Sequence, residues 1–494
     1  MNIILVSLLD TSALGPRSIA AYLKSKGIGV KLVLFKSFEV NNVEVPGADD
    51  IDALVRWIVD QHSEFVGISL RSPLFHLACE ITEALRKAAP GIRIIWGGPH
   101  CTVEKEKCLE HADYVSIGEG EESLAEFLSE WPSGTLPQGI IDRDHPYTDL
   151  CLVKDLGTLP PPLYETDEIY HFSNSAVERS DPYFSETGWS VYEVQTNRGC
   201  PFNCSYCCSP IISDRKVRPF PVGRIMEELV SVASRHRLDS IVIIDEIFGV
   251  DISWLKEFSE RYRKEIGVPY VAQLHPAIVT ENRVPFYKEA GMECAILGVQ
   301  SGSEWIRKNV YNRDGSNAEL LQKINLLLEN GIGVNIDIIV DNPYEREEDL
   351  ADTFNFILSI PREVGIKLFS LINLPGTELT ERLIRDGIMT VDGVEHRSCK
   401  SHRMWRGRLD KAGREGWRQY WTTLILLASL RNHSDGEMWD GVTSVNSPNY
   451  HNLHMFSVEE LRNIASNQEY RNNPSALHEF ALKHIGEDEL TYLL

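Results

Sequence analysis

Four cysteines fall within the stretch RGCPFNCSYCC, Arg198 to Cys208. Cys200, Cys204 and Cys207 have the spacing C-x3-C-x2-C. Thiols so close together can form a disulfide, hold zinc, or hold an iron–sulfur cluster. Structural zinc wants a closed tetrahedral set, usually built from two pairs of ligands. Cys207 and Cys208 are neighbours and are poorly placed to point at one metal. The remaining cysteines are scattered singly, as is usual in a reducing compartment where disulfides are rare. The expected location is therefore cytoplasmic. The spacing favours a [4Fe–4S] cluster on Cys200, Cys204 and Cys207. Such clusters normally take four cysteines, so three leave one iron open to an exogenous molecule. Cys208 lies outside the motif and receives no role.

The elements around this loop are legible as hydrophobic runs. NIILVSLL, GVKLVLF, FVGISL, IRIIWGG and DYVSIGE read as five buried strands, with helical segments such as FHLACEITEALRKAA between them. Alternation of this kind implies βαβ units and a parallel sheet, here a doubly wound, Rossmann-like domain over 1–135. Its strand ends carry Ser69, Gly97–Gly98 and Gly118–Glu119, where a large ligand can approach the backbone. Residues 136–187 are rich in Pro, Ser and Gly and read as a connector wrapping the surface. A second series, VYEVQTN, DSIVIIDEI, PYVAQLH, ECAILGVQS, NIDIIVDN and KLFSLIN, predicts a partial (β/α)6 barrel over 188–390. The cysteines follow its first strand, on the loop above the mouth, and sites in βα barrels lie at that end. His275 and Asn373 also end strands and are candidates to hydrogen-bond a substrate. Residues 391–494 predict a mostly helical region, whose Trp417, Tyr420 and Trp421 read better as core than as pocket.

Composition narrows the partners. There are 49 basic and 72 acidic residues, a net charge of −23, which argues against a nucleic-acid footprint. No apolar run approaches the ~18 residues of a membrane span. The apolar N-terminus lacks the basic region and cleavage site of a signal peptide and reads as a buried strand.

C-x3-C-x-aromatic-C after the first strand of a partial βα barrel resembles the radical S-adenosylmethionine (SAM) superfamily. Further motifs follow in register. IIDEIF (243–248) occupies the position of the family's second-strand contact to the SAM amino group, with Asp245 and Glu246 as substitutes for its Gly-Gly-Glu. LGVQSGSE (297–304) resembles the fourth-strand motif, placing Gln300 and Ser301 at the ribose and carboxylate. IIVDNPYE (338–345) resembles the motif beside the adenine, with Asp341 in place of a usual Gly, and LPGTEL (374–379) matches the turn after strand six. Tyr206 is placed to pack on adenine or to shield the cluster.

The preceding doubly wound domain narrows the resemblance to the cobalamin-binding radical SAM enzymes, over about residues 1–390. VGISLRS, IIWGGPHCT and DYVSIGEGEESLAEFL are similar to that domain's sheet-end motifs, and DLGTLPPPLYE to its connector. The resemblance implies cobalamin, with Ser69, Leu70 and Arg71 facing the cobalt and Gly97, Gly98, Gly118 and Glu119 along the nucleotide tail. The Asp-x-His-x-x-Gly motif of many cobalamin proteins is absent. It further implies that one SAM methylates cobalt while another yields a 5′-deoxyadenosyl radical, so that a methyl group reaches an unactivated carbon of a small molecule. Ring closure or rearrangement with the same cofactors is the alternative, and a non-catalytic cluster protein a third reading. An external electron donor such as flavodoxin or ferredoxin is the implied protein partner.

Overall fold

The computed structural model describes residues 1–36, 46–132, 135–173, 175–186, 191–393, 416–432 and 456–485. The five expected N-terminal strands form: β1 (Asn2–Leu8), β2 (Gly29–Phe35), β3 (Phe65–Ser69), β4 (Arg93–Gly97) and β5 (Tyr114–Ser116). They are mutually parallel, in the order β5-β4-β3-β1-β2. Alternate residues of β1 enter two separate cores: Ile3 and Leu5 on one face, Ile4, Val6 and Leu8 on the other. Burial on both faces is why these strands read as unbroken apolar runs. The order reverses between β1 and β3, and a crevice at the carboxyl ends of those strands is the usual ligand position in such a sheet.

The segment between the domains is more than a surface wrap. Three short strands from it, β6 (Ile140–Ile141), β7 (Ile169–Ser173) and β8 (Ala176–Glu178), extend the first sheet to eight strands, with β6 and β8 antiparallel to their neighbours. Arg17, fully buried in the first helix, pins this segment in place. Its guanidinium donates to Asp181 at 2.8 and 2.7 Å, to the carbonyl of Leu163 at 2.8 Å and to that of Thr11 at 2.9 Å. The Tyr164 ring covers it at 4.4 Å. On the other side Arg224 donates to the Pro160 carbonyl at 3.0 Å, so the proline-rich stretch is held from both domains.

The second sheet contains the six expected strands: β9 (Val191–Val194), β12 (Ser240–Ile243), β13 (Tyr270–Leu274), β14 (Met292–Gln300), β15 (Gly333–Val340) and β16 (Gly365–Ser370). A short pair, β10 (Asn197–Arg198) with β11 (Arg218–Pro219), lies between β9 and β12. The six are parallel, in the order β16-β15-β14-β13-β12-β9. β9 and β16 do not pair, so the barrel is open. Helices cover its outer face. The C-terminal helix Gly416–Leu430 adds a further layer: Tyr420 donates to the Ala465 carbonyl at 2.8 Å, and Trp421 donates to Glu347 at 3.1 Å beside Phe354. Both are therefore packing residues of the outer layer, while Trp417 is partly buried against the same core.

Arg17→Met removes one half of a buried ion pair and leaves Asp181, itself nearly inaccessible, uncompensated. The expected cost is about 3–5 kcal/mol, measured by urea denaturation.

Candidate active site

The cysteine loop is held from beneath by a single carboxylate. Asp245, after β12, is fully buried and accepts from the backbone N–H of Thr196 at 2.6 Å and of Asn197 at 3.1 Å. It also accepts from the Asn197 side chain at 2.6 Å and from the Thr196 hydroxyl. Burial pushes its carboxyl up to about 7, against the pull of these donors. Gly199 follows with φ of +91°, and a Cβ there would lie 2.1 Å from the Lys216 carbonyl oxygen. Only glycine fits this turn. The Gly199 N–H donates to Glu246 at 3.2 Å.

The far side of the loop is tied to the segments that follow β14 and β16. Ser205 donates its N–H to the Tyr311 carbonyl at 3.2 Å and accepts from the Leu379 N–H at 2.8 Å. Arg313 donates to the Cys204 sulfur at 3.3 Å and to the Tyr206 hydroxyl at 3.3 Å, and also to the Gly298 carbonyl. The guanidinium thus presents a hydrogen-bond donor to the sulfur. The Ser209 N–H lies 3.4 Å from the Cys207 sulfur. All described cysteines are free thiols. Among the described residues no three thiols, imidazoles or carboxylates converge on one ion. A cubane does not require convergence, since each thiolate takes a different iron. The three cysteines, with N–H and guanidinium donors at two of the sulfurs, fit that group.

Of the expected SAM contacts, Asp245 and Ser301 are redirected. Asp245 is consumed by the loop described above. Ser301 is buried, accepts from the Ser303 N–H at 3.1 Å and lies 3.4 Å from the Thr353 hydroxyl, so it shapes the turn after β14. Glu246 is exposed at the mouth. Gln300 and Asp341, at the ends of β14 and β15, have φ of +74° and +67°. Non-glycine residues held left-handed are strained, and such strain clusters at ligand sites. Asp341 also accepts from Ser370 at 2.5 Å. Tyr206 is partly buried with its ring 5.0 Å from Tyr311.

His275 stacks on Phe202 of the cysteine loop at 3.7 Å. Its Nδ1 accepts from the Ala277 N–H at 3.1 Å. Burial, with Arg313 and Lys323 adding to it, pushes the ring down to about 3, so it is neutral and carries its proton on Nε2. Asn373 is buried and neither amide atom has a partner.

Between the two sheets lies a cavity of about 380 Å³. From the first domain it is lined by Gly67, Ser69, Gly97, Gly98, Gly118, Glu119 and Gly120, and from the barrel by Gln195, Arg198, Gly199, Arg218 and Glu246. The glycines expose backbone to whatever enters, as a large flat cofactor requires. Leu70 and Arg71 do not contribute. Leu70 is fully buried, with its N–H given to Gly97 at 2.7 Å and its carbonyl accepting from His100 at 3.2 Å. Arg71 is half exposed, 3.8 Å from Asp10. Glu119 lines the cavity, but its carboxylate is taken: Arg218 donates to it at 2.8 and 2.5 Å, the Val153 N–H at 2.7 Å, and Arg198 lies at 3.5 Å. Arg198 also donates to Glu121 at 2.7 Å. Burial opposes the charges of Arg198 and Glu121, but their pairing outweighs it, raising the first pKa and lowering the second.

Arg198, Arg218, Glu121 and Arg313 escape sequence reasoning. Their partners are distant in the chain, and only the adjacency of Arg198 to Gly199–Cys200 hints at a role.

Asp245→Asn sets an amide N–H against donors that now converge on a carboxylate. The expected loss is about 3 kcal/mol of stability in urea, with less iron and sulfide retained per chain after reconstitution.

A B12 binding domain model matches residues 2–128, and a radical SAM superfamily model matches residues 194–357. The hopanoid C-3 methylase of Methylococcus capsulatus is 27% identical over 312 residues, covering 60% of this chain and 56% of that protein. The anaerobic magnesium-protoporphyrin IX monomethyl ester cyclase of Cereibacter sphaeroides is 23% identical over 315 residues, covering 59% of this chain and 48% of that protein. The chain thus spans about half the length of these curated relatives. The structure of the cobalamin-dependent SAM radical enzyme OxsB, with aqua-cobalamin and SAM bound, covers 99% of this chain and 80% of its own at TM-score 0.66 and 14% identity, a likeness of fold. The two matched domains bring with them cobalamin, SAM and a [4Fe–4S] cluster as cofactors. The chain belongs to the radical SAM enzymes that carry an N-terminal B12-binding domain.

Proposed function

We propose that the chain methylates an unactivated carbon of a small molecule. The observation that carries this reading is the shared cavity: the glycine-lined wall of the first domain and the start of the cysteine loop, Arg198 and Gly199, line the same space. Bound there, cobalamin supplies a methyl carrier, and the cluster with SAM supplies a hydrogen-abstracting radical. The residues of the chain position these groups. Cys200, Cys204 and Cys207 hold the cluster, with Arg313 at one sulfur. Glu246, Gln300, Asp341 and Tyr206 surround SAM at the strand ends. Ser69 and the glycines at 97, 98 and 118 seat cobalamin. Arg198 and Arg218 hold the two walls in register and exclude water between them.

Ring closure is the second reading, favoured by the cyclase among the relatives. Either reaction needs a one-electron donor of the flavodoxin or ferredoxin type. Free thiols at every described cysteine suit a cytoplasmic setting, and no helix among the described residues is long and apolar enough to cross a membrane.

Anaerobic incubation of the reconstituted chain with SAM and reductant separates the readings. The expected products are 5′-deoxyadenosine and S-adenosylhomocysteine. Absence of 5′-deoxyadenosine sinks both enzyme readings, whereas its formation without S-adenosylhomocysteine sinks methyl transfer alone. Cys204→Ala is expected to abolish cluster absorbance and SAM cleavage. Cys208→Ala is expected to keep both, and a Cys208→Ala protein without a cluster overturns the division of the four thiols.

A further inference from the structure

The inner face of the barrel carries a row of polar groups that the cofactors do not account for. β14 pairs Gly298 with Asp337 of β15, and Asp337 pairs with Lys367 of β16. Leu274 pairs with Leu297, so His275 begins the same level beside Gly298. The residues between these, Leu297, Ile336, Ile338 and Leu368, belong to the outer core under the helices. Alternation then directs Asp337, Lys367 and His275 inward. Gly298 has no side chain, and the Gln300 amide folds over it, its nitrogen 2.6 Å from where a Cβ would sit.

This inner face is open to solvent. Gln273 and Phe369, two residues from His275 and Lys367, are exposed although they lie on the interior face. Within it, Asp337 has a buried carboxylate oxygen, Oδ1, with no hydrogen-bond partner. Lys367 acts on Asp337 only through space, without an ion pair within 4.0 Å. Burial raises the Asp337 carboxyl to about 6 and Lys367 lowers it, which leaves it largely ionised at neutral pH. A buried, ionised oxygen without a donor is costly. Asp341, the reading's SAM contact on the same strand, is four residues further on, about 13 Å along the strand.

We propose that Asp337 receives the primary ammonium group of the substrate, with the Nε2–H of His275 and the Lys367 ammonium donating to an oxygen acceptor next to it. The inference rests on the radical SAM reading of the barrel and names its substrate class: a small amine that also carries a carbonyl, carboxylate or hydroxyl oxygen. The sequence suggests Asp245, Glu246 and Asp341 as acids at the mouth. Asp245 and Asp341 already accept protein donors, and Glu246 accepts the Gly199 N–H.

The test uses the full reconstituted chain loaded with SAM, and three probes at millimolar concentration: n-hexylamine, hexanoate and 1-hexanol. Binding is followed by saturation-transfer NMR and calorimetry. Hexylamine is expected to bind, and the other two to bind at least tenfold more weakly, the scale of one charge-assisted hydrogen bond. Asp337→Asn should weaken hexylamine by about tenfold and leave SAM binding unchanged. Lys367→Met, which removes a like charge, should strengthen hexylamine several-fold. Failure of hexylamine to bind, equal binding of hexanol, or unaltered affinity in Asp337→Asn overturns the proposal. Weakened SAM binding in Asp337→Asn also overturns it, by assigning the carboxylate to SAM. These outcomes are independent of 5′-deoxyadenosine formation, which tests the underlying reading.

Discussion

Everything at the site depends on a buried charge network between the two domains. Arg198 immediately precedes Gly199 and Cys200, and its guanidinium reaches Glu121 and Glu119 of the first domain. Arg218, on the strand paired with β10, takes the other side of Glu119. Glu121 lies in the first turn of the helix Gly120–Glu130, where the helix dipole favours a negative charge. Buried ions are expensive to desolvate, so such a network contributes little net stability compared with apolar packing, while removal of one member strands the rest. Its consequence is geometric. The loop that carries the cysteines and the strand ends that face it are joined through four side chains, which hold the two cavity walls together.

Around that network, polar groups divide into two sorts. Asp245 and Arg17 are saturated by protein donors or acceptors and hold chain segments in place. Asn373 and Asp337 retain buried atoms without partners, on or just past strands that face the interior. Native proteins leave few such atoms, and each calls for a reason. The left-handed backbones of Gln300 and Asp341 fall at the same end of the barrel. Unmet hydrogen bonding at Asp337 and Asn373 and left-handed backbone at Gln300 and Asp341 thus occur where SAM and substrate are proposed to sit, while the saturated Asp245 carboxylate lies beneath the loop.

That division explains what could be read from the sequence. The five parallel strands of the first domain were legible because burial on both faces makes them continuous apolar runs, and the six of the barrel because apolar residues recur along each above a buried outer face. The cysteine loop was legible from its spacing alone. β6, β7 and β8 were not, because they are short edge strands inside a Pro- and Ser-rich segment with no sustained period. Asp245 was visible as a polar strand end, but its direction was not. Whether a carboxylate faces a ligand or a neighbouring loop is decided by tertiary donors, here Thr196 and Asn197. Arg198 with Glu121 and Arg313 with Cys204 are separated by 77 and 109 residues, and no local pattern encodes such pairs.

The same reasoning bears on how the first domain holds its cofactor. The sequence lacks the histidine motif that many cobalamin proteins present to cobalt, and the cavity lining contains no imidazole among the described residues. Its nearest polar side chain at the end of β3 is Ser69, since Leu70 turns into the core. That wall is built of exposed glycine backbone with a few small polar side chains, Ser69, Thr102 and Ser116, and has Gly98 and Gly118 in conformations that side chains rarely adopt. Glu119, which a reading of strand ends assigns to the ligand, is paired with Arg218 instead. Cobalamin seated against such a wall would be held by Ser69, the glycines and the fit of the surface, and would supply its own chemistry there. The chemistry that follows is then governed by what the opposite wall, with its cysteine loop, brings into the same space.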